Sequence, residues 1–191
     1  MLMWAGTDEW RAETAEVHLH EDRLTATGVQ LGLSPEPYRL DYLLGTTAGW
    51  VTSTLDVIAS GDGWRRTLRL ERTPDGRWSR DGDNDLPALT GAEDCDLGFS
   101  PLTNTMPILR HRLHRERGAV ELTMAWVSVP DLRLHASVQR YEHLRTSPQG
   151  AVVRFASGDF TADLLVDAAG FVVDYPELAQ RCGRDRHGGD R

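Results

Sequence analysis

The groups able to do chemistry concentrate in one stretch, residues 93–110, which reads Glu-Asp-Cys-Asp-Leu-Gly-Phe-Ser-Pro-Leu-Thr-Asn-Thr-Met-Pro-Ile-Leu-Arg. Thr103, Asn104 and Thr105 are three consecutive side chains that both donate and accept hydrogen bonds, as a sugar or polyol headgroup requires, and Ser100 adds a fourth. Pro101 and Pro107 bracket them. Each proline fixes its own φ, removes a backbone donor and pushes the preceding residue towards an extended conformation, so the pattern predicts a rigid polar hairpin loop. The same residue types also bond their own backbone in Asx- and ST-turns, and that use competes with ligand binding here. Asp94 and Asp96, two residues apart, share one strand face. Paired carboxylates can do acid–base work, but with so many arginines nearby an ion pair to Arg110 or Arg112 is the simpler use.

Other reactive side chains form no recognisable machinery. There is no Gly-x-Ser-x-Gly, no phosphate-cradling glycine loop and no Cys-His-Asp order, and Ser100 has no evident base. His18 and His20 share a face and His111 lies near His114, yet neither pair has an identifiable third ligand, so no metal or other cofactor is expected. Cys95 and Cys182 lie far apart without CxxC spacing, which predicts a buried free thiol and an exposed one.

The elements that must position these groups are strands. From residue 13 onward apolar residues recur with period two, and helical spacing is nearly absent. Ala15, Val17 and Leu19 oppose Glu16, His18 and His20. Tyr38, Leu40, Tyr42 and Leu44 oppose Arg39 and Asp41. Strands at 50–60 and 64–71 flank the hairpin turn Ser60-Gly61-Asp62-Gly63, and Pro74-Asp75-Gly76 turns into a short strand at 77–80. In 119–129, Val120, Leu122, Met124 and Trp126 face one way and Ala125, Val127 and Val129 the other, which predicts a strand apolar on both sides with Trp126 and Met124 on a cavity wall. In 132–141, Leu132, Leu134, Ala136 and Val138 form the apolar face against Arg133, His135, Ser137 and Gln139. Strands at 151–155, 160–167 and 171–175 follow, then one helical turn at 177–181 behind Pro176. Residues 1–182 are expected to form a single domain, with a disordered charged tail over 183–191. So many short strands curl, predicting an all-β fold: a highly curved antiparallel meander, closed or half-closed into a barrel with an apolar interior.

The runs Asp94-Cys95-Asp96-Leu97 and Ser100-Pro101-Leu102-Thr103-Asn104-Thr105-Met106-Pro107-Ile108 resemble the signature of the glycolipid-binding family of bacterial proteins. Pro37 to Tyr42, Gly49 to Thr52, Gly76 to Trp78, Trp126 to Pro130, Gln139 to Tyr141 and Asp174 to Pro176 follow in the family's order and spacing. Leu102 and Met106 depart conservatively from the Phe and Leu common there. The resemblance implies a half-barrel similar to the lipoprotein carriers of the bacterial periplasm, wrapped around an apolar cavity. It supplies no residue-level site.

A chain of 191 residues with formal net charge −8 lacks the basic surface that nucleic acids require, and that charge also opposes docking on anionic membranes. All 21 basic residues are arginine. No signal-peptide pattern or membrane-length apolar run occurs, which predicts a cytoplasmic protein without stable membrane insertion. Together these features predict a non-enzymatic binding protein for an amphipathic small molecule, plausibly a glycolipid. Its acyl part would lie in the curved sheet and its headgroup at the 100–107 loop. Candidate ligand-binding residues are Asp94, Asp96, Ser100, Thr103, Asn104, Thr105, Arg110, Met124 and Trp126. The rival expectations are a hydrolase of lipid or carbohydrate esters using Asp94, Asp96 and a histidine, and a structural protein with a filled barrel.

Overall fold

The computed structural model describes residues 1–82 and 84–183. The strands of its first half are β1 Leu2–Gly6, β2 Arg11–His20, β3 Arg23–Gly32, β4 Tyr38–Thr46, β5 Thr52–Gly61, β6 Trp64–Arg72, β7 Trp78–Arg80 and β8 Asn84–Asp85. Those of the second are β9 Asp94–Leu97, β10 Ala119–Val127, β11 Leu134–Ser147, β12 Gly150–Ser157, β13 Phe160–Asp167, β14 Val172–Tyr175 and β15 Ala179–Arg181. All fifteen join one sheet in the order β8 to β1, then β15 back to β9. Two meanders are therefore stitched together where the first strand meets the last, with Trp4 opposite Arg181. Every pairing is antiparallel except β9 with β10.

Local chemistry sets the hairpins. Asp62-Gly63 closes the β5–β6 turn with Gly61 opposite Trp64, and Gly63 takes a left-handed φ of 73° that this tight connection demands. The inward positions of β4 to β6 are largely apolar, with Thr46 and Thr52 the buried polar exceptions at the strand ends. Leu40, Leu55, Leu68 and Leu70 are at most 1% exposed, each burial contributing roughly 1.5–3 kcal/mol. Strand β3 had no counterpart in the sequence reading. Its buried face carries Gly28, Gln30 and Gly32, so the apolar alternation that would announce it is missing. The glycine at 28 is used: a Cβ there would lie 2.1 Å from the Tyr42 ring, which crosses β3 at this point.

The sheet curls into a half-barrel and does not close edge to edge. β8 and β9 are its two ends. Instead, β9 and β10 roll over the hollow of the first meander, and their Cys95, Leu97, Ala125 and Val127 join the same core as Leu40, Leu55 and Trp78. Backbone bonds fasten this crossing: Thr52 N–H donates to Glu93 O at 3.0 Å, and Cys95 N–H donates to Thr52 Oγ1 at 3.1 Å. A second core of Tyr141, Val153, Phe155, Leu164, Val166 and Tyr175 fills part of the other meander.

Residues 98–110 occupy the space between the two cores. The expectation of a polar hairpin loop is corrected here: Pro101–Asn104 forms a 3₁₀ turn and Thr105–Arg110 a short helix, α1, and residues 101–109 are all buried. Both prolines sit in first turns, where a missing N–H has no intrahelical partner to lose. Leu102 and Met106 pack into the first core and Ile108 into the second, so apolar faces on both sides pull the segment inside.

The helical turn expected at 177–181 is also corrected. Leu178 N–H donates to Tyr175 O at 3.0 Å, Glu177 has a φ of 65°, and 179–181 is strand β15. Five residues gain little as an isolated helix, whereas the last three, as a strand, pair with both β14 and β1. Of the tail expected to be disordered, residues 184–191 lie outside the described residues. No helix among the described residues is long and apolar enough to cross a membrane.

Candidate binding pocket

A cavity of about 530 Å³ opens in the second meander. Its polar lining comes from Asp96 on β9, Ser137 and Gln139 on β11, Ser157 on β12, and Ser100 and Asn104 from the internal segment. Its aromatic wall is Trp126, Phe155, Phe160 and Tyr175, and its mouth is edged by Phe99, Val129 and Leu178. Beyond the mouth lies an outer trough of about 410 Å³ that shares Phe99, Val129, Phe160 and Leu178 and adds Asp8, Glu9, Arg11 and Glu177.

Strand β11 reverses the expected orientation. Ser137, Gln139 and Tyr141 point inward, Gln139 being 1% exposed, whereas Val138 is 58% exposed. The inward positions meet a hydrogen-bonding network, and the usual rule of apolar residues inside gives way to it. Gln139 Nε2 donates to Asp96 Oδ2 at 2.6 Å, and Thr103 Oγ1 donates to Asp96 Oδ1 at 2.9 Å. The Tyr141 hydroxyl lies 3.0 Å from both Asn104 Oδ1 and Gln139 Oε1 and shares its one hydrogen between them. Burial raises the Asp96 carboxyl above the ordinary range, partly opposed by these neutral donors. Burial, then the Asp96 charge, raises the phenols of Tyr141 and Tyr175 in turn.

Four of the nine candidate residues line the cavity: Asp96, Ser100, Asn104 and Trp126. Thr103 stands behind it, its one hydroxyl hydrogen shared between Asp96 Oδ1 and Ser100 O at 3.1 Å, so the backbone-bonding use of these side chains is realised as well. Thr105 is fully buried, and its hydroxyl has no partner. Met124 is buried on the same face as Trp126 but away from the cavity lining. Asp94 and Arg110 form a bidentate pair, as charge density suggested: Nη1 lies 2.9 Å from Oδ1, and Nη2 meets Oδ2. Burial raises the Asp94 carboxyl and the guanidinium pulls it back. The two aspartates thus share a face but serve different ends, Asp94 anchoring α1 and Asp96 facing the cavity.

Sequence reasoning missed Gln139, Ser137, Ser157 and the aromatics Phe155, Phe160 and Tyr175. It also missed Glu13, the one carboxylate on the inward face of β2, in phase with Ala15. Tyr42 OH donates to Glu13 Oε1 at 2.6 Å, and Ser100 Oγ donates to the same atom at 2.7 Å. Burial lifts this carboxyl from its ordinary 4.5 to about 7 against these three neighbours, Tyr42, Ser100 and Gln30. Its Oε2 has no hydrogen-bond partner, which favours the protonated form. Parity with Ala15 was the available signal.

Cys95 is buried, and its thiol is pushed up to about 12 by burial; Cys182 is exposed. Histidines stay out of the cavity lining: His135 stacks on Trp126 with ring centres 5.7 Å apart, and His143 Nδ1 bonds Leu113 O at 2.7 Å.

The profile of a family described as "Putative glycolipid-binding" matches residues 1–181. The crystal structure of a DUF1089 family protein from Pseudomonas aeruginosa superposes with a TM-score of 0.74 at 29% identity, over 89% of this chain and 92% of that one. No functionally curated protein matches the chain.

Proposed function

We propose, from the premise that this chain belongs to the glycolipid-binding family, that it binds one amphipathic small molecule without transforming it, and that the molecule is a glycolipid. The observation that carries the reading is the mixed lining of the 530 Å³ cavity, in which polar groups stand beside aromatic rings: Asp96 is opposite Trp126 across β9 and β10, and Ser157 is opposite Phe160 across β12 and β13. Specific small-molecule sites have this character and fall in this size range, about 300–1,000 Å³. The headgroup lies against Asp96, Ser100, Asn104, Ser137, Gln139 and Ser157, and the acyl chain leaves past Phe160, Phe99, Val129 and Leu178. Thr103 supports the headgroup site from behind through its bond to Asp96. Among the described residues the lining holds one carboxylate and no histidine, which favours binding over ester hydrolysis.

The test is native mass spectrometry of the protein purified from its own cells, followed by organic extraction and lipid analysis. A discrete added mass of glycolipid character is expected, and Trp126→Ala should reduce its occupancy severalfold while the protein stays folded. A clean apo mass, with no glycolipid retained on incubation, would overturn the reading.

A further inference from the structure

Asp94, fully buried, and Asp96, half-buried at the cavity, make an internal control for what a carboxylate shielded from bulk water needs. Both sit on β9 with their side chains on one face. Asp94 is 0% exposed and is matched by the two-pronged Arg110 guanidinium, with Glu93 adding a contact to Arg110 Nε at 3.4 Å. Asp96 has only neutral donors, the Gln139 amide and the Thr103 hydroxyl. Among the described residues no arginine or histidine lies within ion-pair distance of it, and no basic side chain lines the cavity. A charge in a confined site without a counter-charge is costly, and the cost is recovered when a cation arrives.

The surroundings fit a cation of one kind. Among the described residues the cavity lining offers one carboxylate and no basic group, so with Asp96 ionised its potential repels phosphate, sulfate and carboxylate headgroups. The nearest guanidinium at the mouth, Arg11, is already paired with Asp8 at 3.3 Å and Glu9 at 3.0 Å and stacks over Phe99 at 4.4 Å. Aromatic faces from Trp126, Phe155 and Tyr175 stand around the cavity, and such faces attract ammonium groups. Ser137 and Ser157, whose hydroxyls bond each other at 3.1 Å, and Asn104, whose amide also bonds Tyr141 and Ser100, add polar groups with spare hydrogen-bonding capacity for the oxygens of a headgroup.

We propose that the headgroup bound at this site carries a protonated amine that pairs with Asp96, so that the preferred ligand is an amino-sugar amphiphile and anionic lipids are excluded. This rests on the glycolipid-binding reading and sharpens it.

Isothermal titration of the full chain with three amphiphiles of identical dodecyl chain tests it: the glucoside, its glucosamine analogue and its glucuronate analogue, each below its micelle concentration. The glucosamine analogue is expected to bind roughly tenfold or more tighter than the glucoside, the scale of a hydrogen bond to a charged group, and the glucuronate weakest. In the near-isosteric Asp96→Asn variant the ratio of amine to glucoside affinity should fall to about one. Equal binding of amine and glucoside to the wild type would overturn the amine proposal and leave glycolipid binding intact. A preference that survives in Asp96→Asn would remove Asp96 as the counter-ion and overturn it too. Binding of none of the three would overturn both readings.

Discussion

The two meanders of this sheet are built from the same alternating pattern and end differently. In the first, inward positions are Leu24, Leu40, Leu55, Leu68 and Leu70, none above 1% exposure, and the hollow is solid once β9, β10, Leu102 and Met106 enter it. In the second, the inward row of β11 is Ser137, Gln139 and Tyr141, and a cavity of about 530 Å³ is left beside it. A filled barrel is therefore a fair description of one half only. The difference teaches that polar residues at inward positions of β9, β11 and β12, together with Ser100 and Asn104, keep this hollow open where leucines close the other. The internal segment completes it, sending Leu102 and Met106 into the first core while Ser100 and Asn104 face the cavity.

The anchor between α1 and β9 offers the strongest way to break the contrast. Arg110→Ala leaves Asp94 buried and uncompensated, and should cost about 3–5 kcal/mol in urea unfolding. Both cores would loosen, since Leu102, Met106 and Ile108 are carried by the segment that this pair holds. A loss below about 1 kcal/mol would mean that packing alone seats the segment.

Next in size is Glu13, which ties Ser100 at the cavity to the filled half. Its folded-state pKa is raised from 4.5 to about 7, so between those pH values the folded protein holds a proton that the unfolded chain releases. Stability should therefore fall as pH rises through that window and level off above it, by about 3 kcal/mol in all at roughly 1.4 kcal/mol per unit. Glu13→Gln should flatten the pH profile and be the more stable protein at pH above 7. Thermal unfolding across that range measures it; a variant with the wild-type slope would assign the slope elsewhere.

The smallest effect on stability is expected at the mouth. Phe160 is 43% exposed and edges both compartments, so Phe160→Ala should change unfolding free energy by less than about 1 kcal/mol while weakening amphiphile affinity severalfold. A large stability loss with affinity unchanged would make Phe160 part of the second core instead of a wall of the site.

Much of the fold was legible because local chemistry enforced it. Period-two runs at 38–44 and 64–71 became β4 and β6, Asp62-Gly63 became a hairpin, and the abundance of arginine near Asp94 foretold its partner. β3 was illegible because glycine and Gln30 occupy its buried face. The 132–141 strand was legible as a strand but not in orientation, since nothing local announces that Gln139 will meet Asp96 across the sheet. Of the site, Asp96, Ser100, Asn104 and Trp126 could be singled out by residue type and signature. The aromatics of β12 to β14 could not, because a phenylalanine on a strand reads the same whether it walls a cavity or fills a core.

By itself, then, the sequence determined most of the strands, their turns and the composition of the segment at 98–110, because backbone sterics and alternation act over a few residues. Only the tertiary structure decided that β1 pairs with β15, that β9 runs parallel to β10, and that the proline-bracketed segment coils into the interior. Those outcomes depend on which distant surfaces bury the most apolar area together while leaving no polar group stranded, a condition that no local window contains.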